Sequence, residues 1–146
     1  MLIDVSHLSD GGFWDALQRS EKPVVASHSN ARALCPHPRN LSDEMIRALS
    51  EQGGIIGLNL YPYFVRNDGV ITTEHLADHL CHMYQVGGED VLAIGTDFDG
   101  FDEGVSDVAH IGQMELVYET VKRKGFTERQ MEKIWHGNAL RILKEM

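Results

Sequence analysis

Apolar and polar positions alternate along this chain in blocks, and the blocks predict four βα units. Leu2-Ile3-Asp4-Val5-Ser6 reads as a strand ending at His7. Ser9 and Asp10 can cap a helix that recurs through Phe13, Trp14 and Leu17 to about Arg19. Pro23 bars a helix from entering the next run, so residues 23–27 read as a buried strand ending at His28. Residues 31–40 hold Pro36 and Pro38, which exclude helix and central strand and predict a structured loop. Ser42 caps a helix with Met45, Ile46 and Leu49 inward, stopped by Gly53-Gly54. Strand three is 55–60, with Tyr61-Pro62-Tyr63 ending it.

The second half repeats the pattern. Thr73 is the expected cap of a helix carrying Leu76, Leu80, Met83 and Tyr84 to Gly87-Gly88. Strand four, 91–96, runs into Thr96-Asp97-Phe98-Asp99-Gly100 and an acidic loop. A helix from about Asp107 to Lys124 is expected to bury Ile111, Met114, Val117, Tyr118 and Val121. Thr127 and Gln130 fit a capping box, with Phe126 and Met131 as its hydrophobic staple. Gly137-Asn138 is expected to interrupt the last helix. Strands separated by helices at this spacing predict an α/β fold with parallel strands. Ligands then bind at the carboxyl ends of the strands.

Composition narrows the partners. The 146 residues fit one domain, and a 42% hydrophobic share is enough for a core. A formal charge of −9 argues against nucleic acid, whose binding rests on neutralising phosphates, and against a polybasic membrane surface. No apolar run approaches the ~20 residues of a membrane span. Cys35 and Cys81 are too few for a disulfide framework and read as structural thiols. With no signal-like segment after Met1, a cytoplasmic location is the expectation.

Three strand ends carry chemistry. His7 and His28 end neighbouring strands one βα unit apart. Adjacent strands lie about 4.8 Å apart, so the two imidazoles can reach one metal. Asp97 ends strand four, where a carboxylate can ligate a metal or move a proton. Asp99-Gly100 alone fits a turn, and a calcium loop fails because Asp102 and Val108 stand where its glycine and glutamate belong. Arg39, in the loop beyond His28, suits bidentate binding of a substrate carboxylate. His75, His79 and His82 share helical spacing, but no Glu follows His75 as HExxH requires. They are expected at the solvent margin of their helix.

The motifs Asp4-Val5-Ser6-His7, Ser27-His28-Ser29-Asn30, Arg39-Asn40 and Gly95-Thr96-Asp97-Phe98-Asp99-Gly100 resemble, in order and spacing, the membrane (renal) dipeptidase family of zinc peptidases. Gly137-Asn138-Ala139-Leu140-Arg141 is similar to that family's C-terminal helix. The resemblance implies a (β/α)8 barrel of the TIM type with two zinc ions. It makes His7 and His28 ligands of the second zinc, and Arg39 the binder of the dipeptide's terminal carboxylate. Asp97 becomes the proton-transfer residue in hydrolysis by metal-activated water. The family's His-x-Asp pair and bridging Glu, on earlier strands, have no counterpart in these residues. The match therefore implies that 1–146 is a single partial domain, the C-terminal half, or last four βα units, of the barrel. Its partners are then a dipeptide and either a complementary N-terminal half or a second copy. The rival readings are a self-associating half-barrel without activity and another TIM-barrel metallohydrolase such as a phosphoesterase.

Overall fold

A computed structural model describes residues 1–102 and 104–145. Its centre is a parallel sheet of β1 (Val25–Ser29), β2 (Ile55–Leu58) and β4 (Leu92–Ile94), in the order β1-β2-β4. Each strand is short; β2 and β4 are apolar, as expected where helices cover a parallel sheet, and β1 opens apolar before turning polar at Ser27-His28-Ser29. The predicted first strand is reduced to one parallel bridge, Asp4 to Val25. Val5 N still donates to Val25 O at 2.8 Å, and Val25 N to Ile3 O at 2.9 Å. Residues 3–5 therefore extend the sheet beside β1. Four chain segments run in sequence order, the arrangement of consecutive βα units in a barrel wall.

The α-helices among the described residues are α1 (Asp10–Arg19), α2 (Asp43–Glu51), α3 (Pro62–Val65), α4 (Thr73–Gly87), α5 (Met114–Arg123), α6 (Glu128–Glu132) and α7 (Asn138–Lys144). The first six contribute to the core on one side of the sheet, and α7 packs on the other. Ser9 caps α1 and Ser42 caps α2 through side-chain oxygens that accept from Gly12 N and Met45 N. The cap of α4 is Thr72, one residue before the expected Thr73, and His75 Nδ1 accepts from Thr72 N at 3.0 Å. The Thr127–Gln130 capping box opens α6, with Phe126 and Met131 buried. Ala26, Ile56, Leu58 and Leu92 face this helix layer, together with Val91.

Val25, Ile55 and Ala93 form the opposite face, where Ile142 of α7 packs on them. Arg141 anchors α7 to the N-terminal ends of two strands, donating to Gly53 O at 2.5 Å and Asp90 O at 2.9 Å.

Three further expectations change. Gly137-Asn138 does not break the last helix: a π-turn at Lys133–Gly137 carries it through into α7. Asn138 is buried there, and its amide donates to Glu89 O and Leu92 O at 2.8 Å each. The helix expected from Asp107 begins at Met114, after a 3-10 turn at Ile111–Gln113, and Ile111 is 70% exposed. Glycine at 112 and the His110 cap favour the tighter turn over an α-helix. His79 is fully buried and not at a solvent margin. A two-residue pair, β3 (Val70–Ile71) with β5 (Val105–Ser106), lies outside the main sheet and was not anticipated.

Candidate active site

The sheet fails to keep its register where His28 sits. Ala26 pairs with Ile56, but the next pairing is Ser29 with Leu58. One extra residue in β1 makes a bulge, and bulges re-aim side chains. Ser27 and His28 occupy it. Opposite, β2 and the strand after it present Gly57 and Gly95. A Cβ on Gly57 would stand 2.0 Å from Ser27 O, and one on Gly95 1.8 Å. Glycine is needed at both positions so that the bulged backbone can lie against them.

His7 sits within a turn closed by Leu8 N donating to Val5 O at 3.1 Å. Its Nε2 lies 2.9 Å from Nε2 of His28, with ring centroids 5.0 Å apart. Two ring nitrogens this close need a shared proton or a shared cation between them. Zinc bonds imidazole at about 2.0–2.1 Å, so a 2.9 Å separation lets one ion touch both. The pair fits part of a metal site. Catalytic zinc usually takes three protein ligands. Among the described residues no group of three or more His, Cys, Asp or Glu side chains is placed to hold a metal.

Burial is the main influence lowering the His28 pKa below its ordinary value, and Arg39 and His7 act in the same sense. Asp97 and Asp4 oppose them. The net effect favours the neutral imidazole, which is the form that binds metal. Behind His28, Ser27 Oγ lies 2.8 Å from Nδ1 and also bonds Asp4 Oδ2. The Oδ1 atom of Asp4 accepts from Ser6 N, Ser6 Oγ and Ser27 N at 2.8–3.0 Å.

Arg39 Nη2 stands 3.4 Å from His7 Nε2, and the guanidinium lies over the Phe64 ring at 5.3 Å. Its Nη1 is buried and has no hydrogen-bond partner among the described residues. Burial lowers the Arg39 pKa, while Asp97 and Asp4 pull it back up. The group stays cationic, since arginine is not deprotonated in proteins. Arg32, seven residues earlier, is committed to structure: it grips Asp10 with two bonds of 2.8 Å. Arg39 lines the cavity of the site, and its guanidinium has no carboxylate grip of this kind among the described residues.

Asp97 adopts a left-handed backbone, φ 61°, followed by Asp99 at 66°. Aspartate tolerates this region better than most residues. Asn59 Nδ2 donates to Asp97 Oδ2 at 3.1 Å. Asn59 is itself locked, its N–H donating to Asn30 Oδ1 at 3.0 Å and its Oδ1 accepting from Tyr61 N at 2.6 Å. His7, Arg39 and Asp97 line one cavity of about 490 Å³, with Tyr61, Phe64 and Phe101 as its apolar wall.

The structure thus places His7, Arg39 and Asp97 around one opening, with His28 against His7. Sequence reasoning gave no role to Asn30, Asn59, Tyr61 or Phe64. Asp4 and Ser27 stood in the motifs as flanking residues, and the serine before each histidine was the available signal. His75 caps α4, His82 Nε2 lies 2.7 Å from Asp43 Oδ1, and His79 bridges backbone groups, so that trio is no metal site.

Parallel βα units that gather imidazoles, a guanidinium and a carboxylate at the strand ends have the layout of an α/β metallohydrolase. The sequence pattern of the membrane dipeptidase family, peptidase family M19, matches residues 1–146, and the chain belongs to that family. An uncharacterized protein in the pqqA 5′ region of Klebsiella pneumoniae is 38% identical over 100% of this chain and 55% of its own length. An uncharacterized dipeptidase of Schizosaccharomyces pombe is 33% identical over 99% of this chain and 36% of its own. A Rhodobacter sphaeroides metallopeptidase, solved with a phosphinate mimic of the dipeptide L-Ala-D-Ala, superposes with a TM-score of 0.90 at 33% identity. That match covers 97% of this chain and 41% of the other. The chain spans between about a third and just over half of the relatives it matches.

Proposed function

We propose that these 146 residues carry one half of a zinc-dependent dipeptidase site. The observation that carries this reading is the convergence of His7 and His28 Nε2, 2.9 Å apart, beside Arg39 and Asp97. His7 and His28 hold one zinc. Zinc supplies Lewis acidity and an activated water. Arg39 takes the dipeptide's terminal carboxylate, and the Phe64 ring holds the guanidinium plane in position. Asp97, oriented by Asn59, accepts and returns the proton moved during hydrolysis. The remaining metal ligands come from four further βα units that complete the barrel.

The test is reconstitution. The chain is expressed together with the first four βα units of the Rhodobacter sphaeroides relative, and zinc-dependent hydrolysis of L-Ala-D-Ala is measured. Turnover well above a His28→Ala control is expected. Turnover equal to that control would sink the proposal.

One observation favours a second reading, a self-associating half-barrel without activity. Leu2, Val25, Ile55 and Ala93, with Ile142 of α7, line an apolar cavity of about 220 Å³ on the sheet face opposite the main helix layer. Leu140 and Leu143 are exposed on the helix that partly covers that face. Gel filtration of the chain alone separates the readings: a stable dimer with no zinc uptake supports this one. No described helix is long and apolar enough to cross a membrane.

A further inference from the structure

We infer that Asp4 and Ser27 are positioning residues that fix the tautomer of His28, holding its proton on Nδ1 and leaving the Nε2 lone pair facing His7. The supply of hydrogens fixes the direction of each bond. An ionised carboxylate only accepts, and a serine hydroxyl has one hydrogen to give. Asp4 Oδ1 is filled by Ser6 N, Ser6 Oγ and Ser27 N. Asp4 Oδ2 takes the hydroxyl hydrogen of Ser27. Ser27 Oγ therefore has no hydrogen left for His28, and at 2.8 Å it accepts one from Nδ1.

The neighbouring serine fits the same directions. Ser6 Oγ gives its hydrogen to Asp4 Oδ1 and accepts from His28 N at 3.0 Å. Its 3.4 Å approach to Ser27 Oγ is too long and too oxygen-rich to redirect either proton. The four bonds that Asp4 accepts favour its ionised form and lower its pKa against the cost of burial. Each group in the relay then has one consistent role, and the polarity runs one way from His28 to Asp4.

Free histidine in water has no such constraint. A relay of this kind selects the ring nitrogen that faces the ligand, and outer partners of this kind are worth about 10- to 100-fold in metal affinity. The consequence for affinity rests on the proposed role of His28 as a zinc ligand. The tautomer itself does not.

The test is nitrogen NMR on the metal-free 146-residue chain labelled with ¹⁵N-histidine, at neutral to mildly alkaline pH. His28 is expected to show a protonated Nδ1 and a bare Nε2. Asp4→Asn turns an amide N–H toward Ser27 Oγ, which frees the hydroxyl hydrogen for His28 Nδ1. The proton is then expected on Nε2. Ser27→Ala is expected to give a tautomer mixture, and Ser27→Thr to restore the native state. An Nε2-protonated His28 in the native chain would overturn the relay. So would a tautomer unmoved by both Asp4→Asn and Ser27→Ala, since a merely structural Asp4–Ser27 bond would leave it unmoved. Zinc is then titrated into each protein. Native shifts at both histidines, with affinity at least about 10-fold weaker in Asp4→Asn, are expected. Zinc that moves neither histidine while the tautomers behave as described would overturn the ligand role and leave the relay standing.

Discussion

Asn59 Nδ2 donates to Asp97 Oδ2 at 3.1 Å, and Asn59 is wholly buried while doing so. The carboxylate is therefore aimed by a side chain on the neighbouring strand end. Asn59→Asp keeps an acceptor for Tyr61 N but sets a second carboxylate against Asp97. Like charges this close raise the pKa of the pair. In the reconstituted dipeptidase, the acid limb of the pH–rate profile is expected to move to higher pH. Asn59→Ala instead strands the Tyr61 N–H, at a cost of about 1–3 kcal/mol. Urea unfolding at neutral pH checks that loss.

Arg39 and Phe64 predict a selectivity. A lysine at 39 keeps the charge but loses the planar fork and the stack on the ring. Hydrogen bonds to charged groups are worth about 1.5–3 kcal/mol, so Arg39→Ala is expected to raise KM for a dipeptide about 10- to 100-fold. Arg39→Lys falls between. The dipeptide amide, which has no terminal carboxylate, should be a poor substrate for all three proteins and discriminate little among them. Steady-state kinetics on the acid and the amide decides this. Equal losses on both substrates would remove Arg39 from carboxylate binding.

What the sequence displayed was local. Ser42, Thr127 and Gln130 cap helices through bonds spanning three residues, so their signal lies in the chain itself. The three strand-end candidates, His7, His28 and Asp97, were legible because parallel βα units bring their strand ends together. Other features depend on partners far along the chain. The bulge at Ser27-His28 arises from pairing with Ile56 and Leu58, some thirty residues away. Asn59 gave no sign of facing Asp97, because that contact spans 38 residues. His79 was misread for a different reason. Its place between Leu76 and Leu80 lies inside the apolar stripe, and its polarity made an outward position look natural. Ala31 N and Val65 O supply the two bonds that let it stay inside.

His79 makes stability depend on pH. Its Nδ1 accepts from Ala31 N at 3.1 Å, and its Nε2 donates to Val65 O at 3.0 Å. Both bonds use the neutral ring. Burial pushes its pKa down to about 4, helped by His82 and His75, with the Val65 carbonyl and Asp78 opposing. The unfolded chain takes up this proton near pH 6.5, before the folded one does. The stabilisation is therefore complete above about pH 6.5 and is lost as pH falls toward 4, by up to about 3 kcal/mol. Urea midpoints across this window should fall in the native protein. In His79→Gln, which can offer one donor and one acceptor, they should start lower and fall less through the same window, His28 and His37 keeping their own smaller share. A native midpoint that holds steady from pH 7 to 4 would contradict the assignment.

Gly57 is the sharpest point of contact between packing and chemistry. The bulge that turns His28 toward His7 needs Ser27 O to lie against Gly57, where a Cβ would stand 2.0 Å away. The obstructing atom is backbone, so no side-chain rotation relieves the clash. Gly57→Ala must push β1 and β2 apart at the bulge, and overpacking of this kind costs typically about 1–3 kcal/mol. The damage should be directional. Ser27 is the residue displaced, and His28 moves with it, whereas Ala26, on the helix side of β1, keeps its packing. Thermal unfolding of Gly57→Ala is expected to remain cooperative with a lowered Tm. Zinc affinity should fall by more than that of a core variant of equal Tm, such as Leu49→Ala. If the two variants lose zinc affinity alike, the bulge is not what aims His28.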